Sequence, residues 1–119
     1  VNTRKPPLER SIVKKTLEEL RSRGGFWVKI HGSPFQLAGI PDILGCYRGR
    51  FIAFEAKRDE TKKPTALQAY NLRKIKAAGG ITKVIWDPSH ALAIIDKIDS
   101  GGSARAASDE APTASKPAG

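Results

Sequence analysis

Apolar residues recur at Leu8, Ile12, Val13, Leu17 and Leu20, with Thr16 in step, which is the spacing of one face of a helix. Pro6-Pro7 suits the start of that helix, where a missing N–H costs nothing. Gly24-Gly25 suits its end. Residues 1–6 read as a loose basic arm. Phe26, Val28 and Ile30 then alternate with Trp27, Lys29 and His31, which predicts a strand. Residues 31–39 are rich in breakers and predict a loop.

Two short runs follow, 42–47 and 50–57, separated by Arg48-Gly49, and together they predict a β-hairpin. Residues 58–64 are charged, end in Pro64 and read as a loop. Thr65 and Gln68 have capping-box spacing and open a helix that runs to about residue 78. Gly79-Gly80 closes it. Residues 81–86 are β-branched and apolar, as in a buried strand, and Asp87-Pro88 reads as a turn. Leu92, Ile94, Ile95 and Ile98 mark a last helix over 90–98. The order α-β-β-β-α-β-α predicts an α/β fold with a mixed central β-sheet flanked by helices. Residues 1–99 form one domain in this reading. Residues 100–119 are mostly Gly, Ser, Ala and Pro without periodicity and are expected to be a disordered tail.

The hairpin has a chemical consequence. If Arg48 and Gly49 are the two turn residues, Tyr47 faces Arg50, and continuing the pairing sets Asp42 opposite Glu55. A four-residue loop on the same centre keeps that register, and a three-residue loop shifts it by one. Directly opposed residues share a face, with Cβ atoms about 4.5–5.5 Å apart. Glu55 and Lys57 are two apart on one strand and share a face as well. Two carboxylates and an ammonium therefore converge at the open end of one hairpin. Facing carboxylates repel, and a divalent cation between them is one way to make the arrangement favourable. Mg²⁺ takes oxygen ligands, commonly one or two carboxylates with waters and substrate phosphate. Such an ion polarises a phosphoryl oxygen and lowers the pKa of bound water. The competing reading of the same three residues is a solvated cross-strand charge cluster with no catalytic role.

Charge favours the first reading. The chain carries 21 Lys and Arg against 12 Asp and Glu, a net +9. Arg105 and Lys116 balance Asp109 and Glu110 in the tail, so the excess lies in residues 1–99. A basic excess on so small a domain points to a polyanionic partner, usually nucleic acid. Lys29, Arg48, Arg50, Arg58, Lys62 and Lys63 flank the hairpin and are candidate phosphate contacts. No apolar run approaches the ~18–20 residues that span a bilayer, no secretory signal is expected, and the first helix lacks the aromatic anchors of a membrane-surface helix. Cys46 is the single cysteine, so neither an internal disulfide nor a cysteine-rich zinc site is available, and a reducing, intracellular setting is expected. Cys46 is expected to be a small buried hydrophobe. Trp27 and Trp86 are expected to pack, His90 to lie at the surface, and His31 to sit in the loop beside the site.

The motifs occur in a particular order. Glu9 opens the first helix, which ends in Gly-Gly before a strand. Gly39-Ile40-Pro41-Asp42, then Glu55-Ala56-Lys57, then the Thr65–Gln68 helix start follow. Over residues 8–86 this resembles the PD-(D/E)xK nuclease superfamily. Within it, the chain is similar to the virus-type replication-repair nuclease (VRR-NUC) domain, particularly its stand-alone phage and bacterial members. The resemblance implies a restriction-endonuclease-like core and an Mg²⁺- or Mn²⁺-dependent DNA endonuclease. It implies that Asp42 and Glu55 are metal ligands, with the Ala56 carbonyl as a third and Lys57 as the catalytic lysine. Glu9 matches the helix-borne acid that supports the metal directly or through water, and Gln68 matches a glutamine near the site. From the residues alone, Glu9 equally suits the helix dipole and Gln68 equally suits a cap.

The stand-alone members suggest branched DNA, such as Holliday junctions, as substrate. Paired cuts in opposing strands would then require a two-fold homodimer of this one-site chain. The final strand and helix, rich in Ile and Leu, are candidate interface material. A cytoplasmic location is expected, in a bacterial host cell if the chain is phage-encoded. Two other functions fit the same residues: a nicking or restriction-type nuclease on duplex DNA, and a catalytically inactive basic DNA-binding module. The presence of Asp42, Glu55 and Lys57 together argues against the last.

Overall fold

The computed structural model describes residues 6–32 and 37–101. The expected 1–6 arm, apart from Pro6, and the expected tail beyond Gly101 lie outside the described residues. So does the middle of the 31–39 loop.

The chain runs α1 (Pro7–Arg23), β1 (Phe26–Lys29), β2 (Ile43–Tyr47), β3 (Arg50–Ala56), α2 (Ala66–Ala77), β4 (Ile81–Ile85) and α3 (Pro88–Asp99). This is the predicted order. The four strands form one sheet in the order β1-β2-β3-β4. β1, β2 and β3 are an antiparallel meander, and β4 lies parallel to β3. A parallel neighbour needs a crossover, and α2 supplies it.

Strand parity sets what each face carries. Trp27, Ile43, Tyr47, Ile52, Phe54, Ala56, Ile81 and Ile85 point to one face and pack with α1 and α3 in the hydrophobic core. Ile12, Val13, Leu17 and Leu20 of α1 and Ala91, Ile94, Ile95 and Ile98 of α3 complete it. The isoleucines expected to serve an interface are therefore buried within this chain. The opposite face carries Ala53, Glu55 and Thr82, all buried, and α2 crosses on that side. Toward β1 the same face is open. One rung there aligns Phe26, Cys46 and Phe51, and all three are exposed. Cys46 is thus at the surface and not buried as expected, because its strand position points away from the core. The alternation of Phe26, Val28 and Ile30 marks this partly open face, and Trp27 is the core residue of β1.

The hairpin turn is a two-residue turn with positive φ at both Arg48 (49°) and Gly49 (79°). That is the backbone of the hairpin turn whose twist matches its strands. Only glycine adopts it without cost, and Arg48 is held there by an ion pair with Asp99 at 2.9 Å. α3 begins earlier than its apolar spacing suggested. Asp87 is its N-cap, accepting the Ser89 N–H at 2.9 Å, and Pro88 is its first residue. Asp-Pro here is a start signal and not a free turn.

Candidate active site

The pairing of β2 with β3 runs from Tyr47↔Arg50 to Ile43↔Phe54. The next rung in that register sets Asp42 opposite Glu55, as the two-residue turn requires. Asp42 remains joined to β1, since its carbonyl accepts the Ile30 N–H at 2.8 Å. Toward β3 the ladder changes character. The residue facing Ala56 is Pro41, which has no N–H to donate. The Ala56 N–H is taken by the Asp42 side chain, whose Oδ2 accepts it at 2.8 Å. A strand residue's N–H and C=O point to the same side, so the Ala56 carbonyl is also directed toward Asp42. On the other edge of β3, the Lys57 N–H donates to the Ile85 carbonyl at 2.9 Å, which ties the end of the strand to β4.

Glu55 is fully buried, and Asp42 and Lys57 are each 8% exposed. Lys57 Nζ lies 3.6 Å from Glu55 Oε2. Two buried carboxylates and a buried ammonium on adjacent strand positions are costly unless they compensate one another. The site is therefore assembled by the fold and is not a solvated surface cluster. Its donor set, carboxylate oxygens with a nearby carbonyl, is the hard-oxygen chemistry that Mg²⁺ and Mn²⁺ take. The residues present fit such an ion.

Glu9 is buried in the first turn of α1. Among the described residues, however, no three His, Cys, Asp or Glu side chains gather closely enough to hold a metal. The structure thus brings Asp42, Glu55, Ala56 and Lys57 together and leaves Glu9 outside a three-carboxylate cluster. Gln68 forms the capping box of α2. Its Oε1 accepts the Thr65 N–H at 2.9 Å, and its own N–H donates to Thr65 Oγ1 at 3.2 Å.

The other candidates separate by position. His31 is exposed and follows Ile30 directly at the Asp42 end of the sheet. Lys29, Arg58, Lys62 and Lys63 are exposed. Arg48 and Arg50 lie at the turn, the opposite end of the hairpin, where Arg48 pairs with Asp99 and stacks on the Tyr47 ring. Trp27 is buried and packs on Phe54, whereas Trp86 is partly exposed and meets His90 edge-on. His90 is half-buried and accepts the Trp86 N–H. Asn71 was not among the sequence candidates. It donates through Nδ2 to the Ala38 carbonyl at 3.2 Å, in the loop that leads to Asp42. The available signal was its position three residues after Gln68 on one helix face.

A solved structure described as a VRR_NUC domain superposes on this chain with a TM-score of 0.64. The match covers 76% of this chain and 97% of that one, at 25% identity. The chain has the VRR-NUC domain fold. No family model matches the sequence, and no curated protein does. The match supports a nuclease domain of this superfamily and agrees with the motif order read from the sequence. The VRR-NUC fold sets Asp42 and Glu55 on neighbouring strands where β2 and β3 part.

Proposed function

We propose that this chain is a metal-dependent DNA endonuclease that hydrolyses phosphodiester bonds at the Asp42–Glu55–Lys57 site. The observation that carries this is the buried convergence of Glu55 and Lys57, 3.6 Å apart, with Asp42 held on the Ala56 N–H beside them. Asp42 and Glu55 would hold Mg²⁺ or Mn²⁺, with the Ala56 carbonyl as a further ligand and Glu9 supporting the ion from α1 through water. When bound, the cation supplies Lewis-acid stabilisation of charge on the phosphodiester. The Ala56 N–H holds Asp42 Oδ2, so the carboxylate is oriented before substrate arrives. Glu55 anchors the Lys57 ammonium. Lys57 orients the attacking water and neutralises negative charge as it builds on the phosphate. Exposed Lys29, Arg58, Lys62 and Lys63 hold flanking phosphates, and Gln68 of α2 serves the site in addition to its cap.

The substrate in this reading is branched DNA such as Holliday junctions, cut by a homodimer that supplies one site per strand. Within a bacterial cell the place of action is the cytoplasm. The test is cleavage of linear duplex, single-stranded, nicked, flapped and four-way junction DNA by one preparation, with its mass in solution measured alongside. Preferential junction cutting by a dimer supports the full reading. Equal cutting of linear duplex keeps the nuclease and removes the junction preference. DNA binding without cutting in either metal leaves a basic binding module.

A further inference from the structure

The carboxylate of Asp42 is useful only if the chain before it is fixed, and the structure shows what fixes it. On its far side Asp42 is tied to β1 through Ile30. On its near side the chain arrives through Ala38, Gly39, Ile40 and Pro41, outside any strand. That stretch rests on α2. Asn71 Nδ2 donates to the Ala38 carbonyl at 3.2 Å. Gly39 has φ +78°, and a Cβ placed on it would lie 2.7 Å from Leu67 Cγ and 3.0 Å from Asn71 Nδ2. The loop backbone therefore lies directly against one face of α2, formed by residues four apart. Gly39 is required both for its left-handed backbone and for this closeness. The start of α2 is itself fixed by the Thr65–Gln68 capping box.

We propose that Asn71 is a positioning residue for Asp42. It anchors Ala38 to α2, and only Gly39, Ile40 and Pro41 separate that anchor from the carboxylate, a reach of about 10 Å. Pro41 has a locked φ, which limits the slack in that short span. Asn71 does not touch metal or substrate. It determines where the Asp42 carboxylate comes to rest, and the readout is the bond that carboxylate makes to the Ala56 N–H. The proposal rests on reading Asp42 as a metal ligand for its functional meaning, but its test does not depend on cutting.

The experiment is amide hydrogen exchange, read residue by residue by NMR on the full chain, in wild type, Asn71→Ala and Gly39→Ala. The Ala56 amide reports Asp42 Oδ2, and the neighbouring Lys57 amide reports the Ile85 carbonyl on the other edge of the same strand. Asn71→Ala is expected to speed Ala56 exchange about 10-fold and to leave Lys57 exchange and the thermal midpoint nearly unchanged. Mn²⁺ affinity should fall by about 10-fold, as expected for loss of a group that orients a ligand. Turnover should fall without a matching rise in KM for DNA. Asn71→Ala alters a partly exposed side chain, so a folded protein is expected even if Gly39→Ala fails to fold. Unchanged Ala56 exchange in Asn71→Ala overturns the proposal. Equal acceleration at Ala56 and Lys57 also overturns it, since that reports general loosening. If wild type cuts no DNA in any metal, the nuclease reading fails while the exchange pattern still decides the positioning role.

Discussion

The Asp42 carboxylate takes the Ala56 N–H at 2.8 Å in the rung that Pro41 cannot complete. The Pro-Asp pair is thus one device. Proline offers the ladder no N–H, and the next side chain takes the Ala56 N–H as an acceptor at the point where β2 and β3 separate. Strand geometry directs the Ala56 carbonyl to the same side.

Asp42→Asn keeps an acceptor for the Ala56 N–H and removes the charge. It is expected to fold, bind DNA and lose at least about 100-fold in cleavage, because the charge proposed to hold the cation is gone. Asp42→Ala should lose the same activity and additionally about 1 kcal/mol of stability, for the missing buried hydrogen bond. Urea denaturation beside a cleavage assay separates the two. Equal stability of Asn and Ala variants would remove the structural half of this account.

Lys57→Met removes the ammonium 3.6 Å from buried Glu55, which is expected to cost about 3 kcal/mol in metal-free protein. The double variant Glu55→Gln/Lys57→Met should be more stable than Lys57→Met alone, because the buried carboxylate that lost the ammonium is gone as well. Mg²⁺ or Mn²⁺ should raise the stability of Lys57→Met, by about 2.7 kcal/mol at a hundredfold excess over Kd, and should not stabilise the double variant. Denaturation with and without metal reads all three.

Gln68 has two readings that one substitution separates. Gln68→Glu keeps the capping box, since glutamate serves at that position. Thr65→Ala removes it and should cost about 1 kcal/mol. If Gln68 also meets the substrate, Gln68→Glu retains stability and loses cleavage. If it is only a cap, Gln68→Glu retains both.

At the other end of the hairpin, Tyr47 OH donates to Asp99 Oδ1 at 2.7 Å, and Arg23 and Arg48 pair with the same carboxylate. The hydrogen bond from Tyr47 is the largest cause holding the Asp99 pKa below its usual value, followed among the lowering effects by Arg23 and Arg48. A depressed native pKa means stability that is present above the ordinary carboxylate range and is lost as pH falls through the native value. Tyr47→Phe should therefore unfold at a higher pH on acid titration than wild type. Its deficit should shrink once pH falls below the native Asp99 value.

Much of this was legible beforehand because one turn sets one register. Arg48-Gly49 gave the pairing, and the pairing gave Asp42 opposite Glu55. The capping box likewise located α2 from two residues. What periodicity could not give was which face of the sheet would be covered. α2 lies over the β3–β4 side, so Cys46 and Phe26 are left exposed on a face that their strands share with Glu55. Nor could it give Asn71, whose role depends on a loop more than thirty positions away in sequence. The isoleucines of α3 look the same in sequence whether they bury inside the chain or against a partner, and here they bury inside.

Asp42, Glu55 and Lys57 are proposed to act as one metal-dependent cleavage site. The most direct measurement is cleavage of labelled DNA by wild type, Asp42→Ala, Glu55→Gln and Lys57→Ala, each with Mg²⁺, with Mn²⁺ and with EDTA. Wild type is expected to cut in at least one metal and not in EDTA, and all three variants to lose cutting while still binding DNA. Cutting by wild type in EDTA, or undiminished cutting by the Lys57 variant, would contradict it.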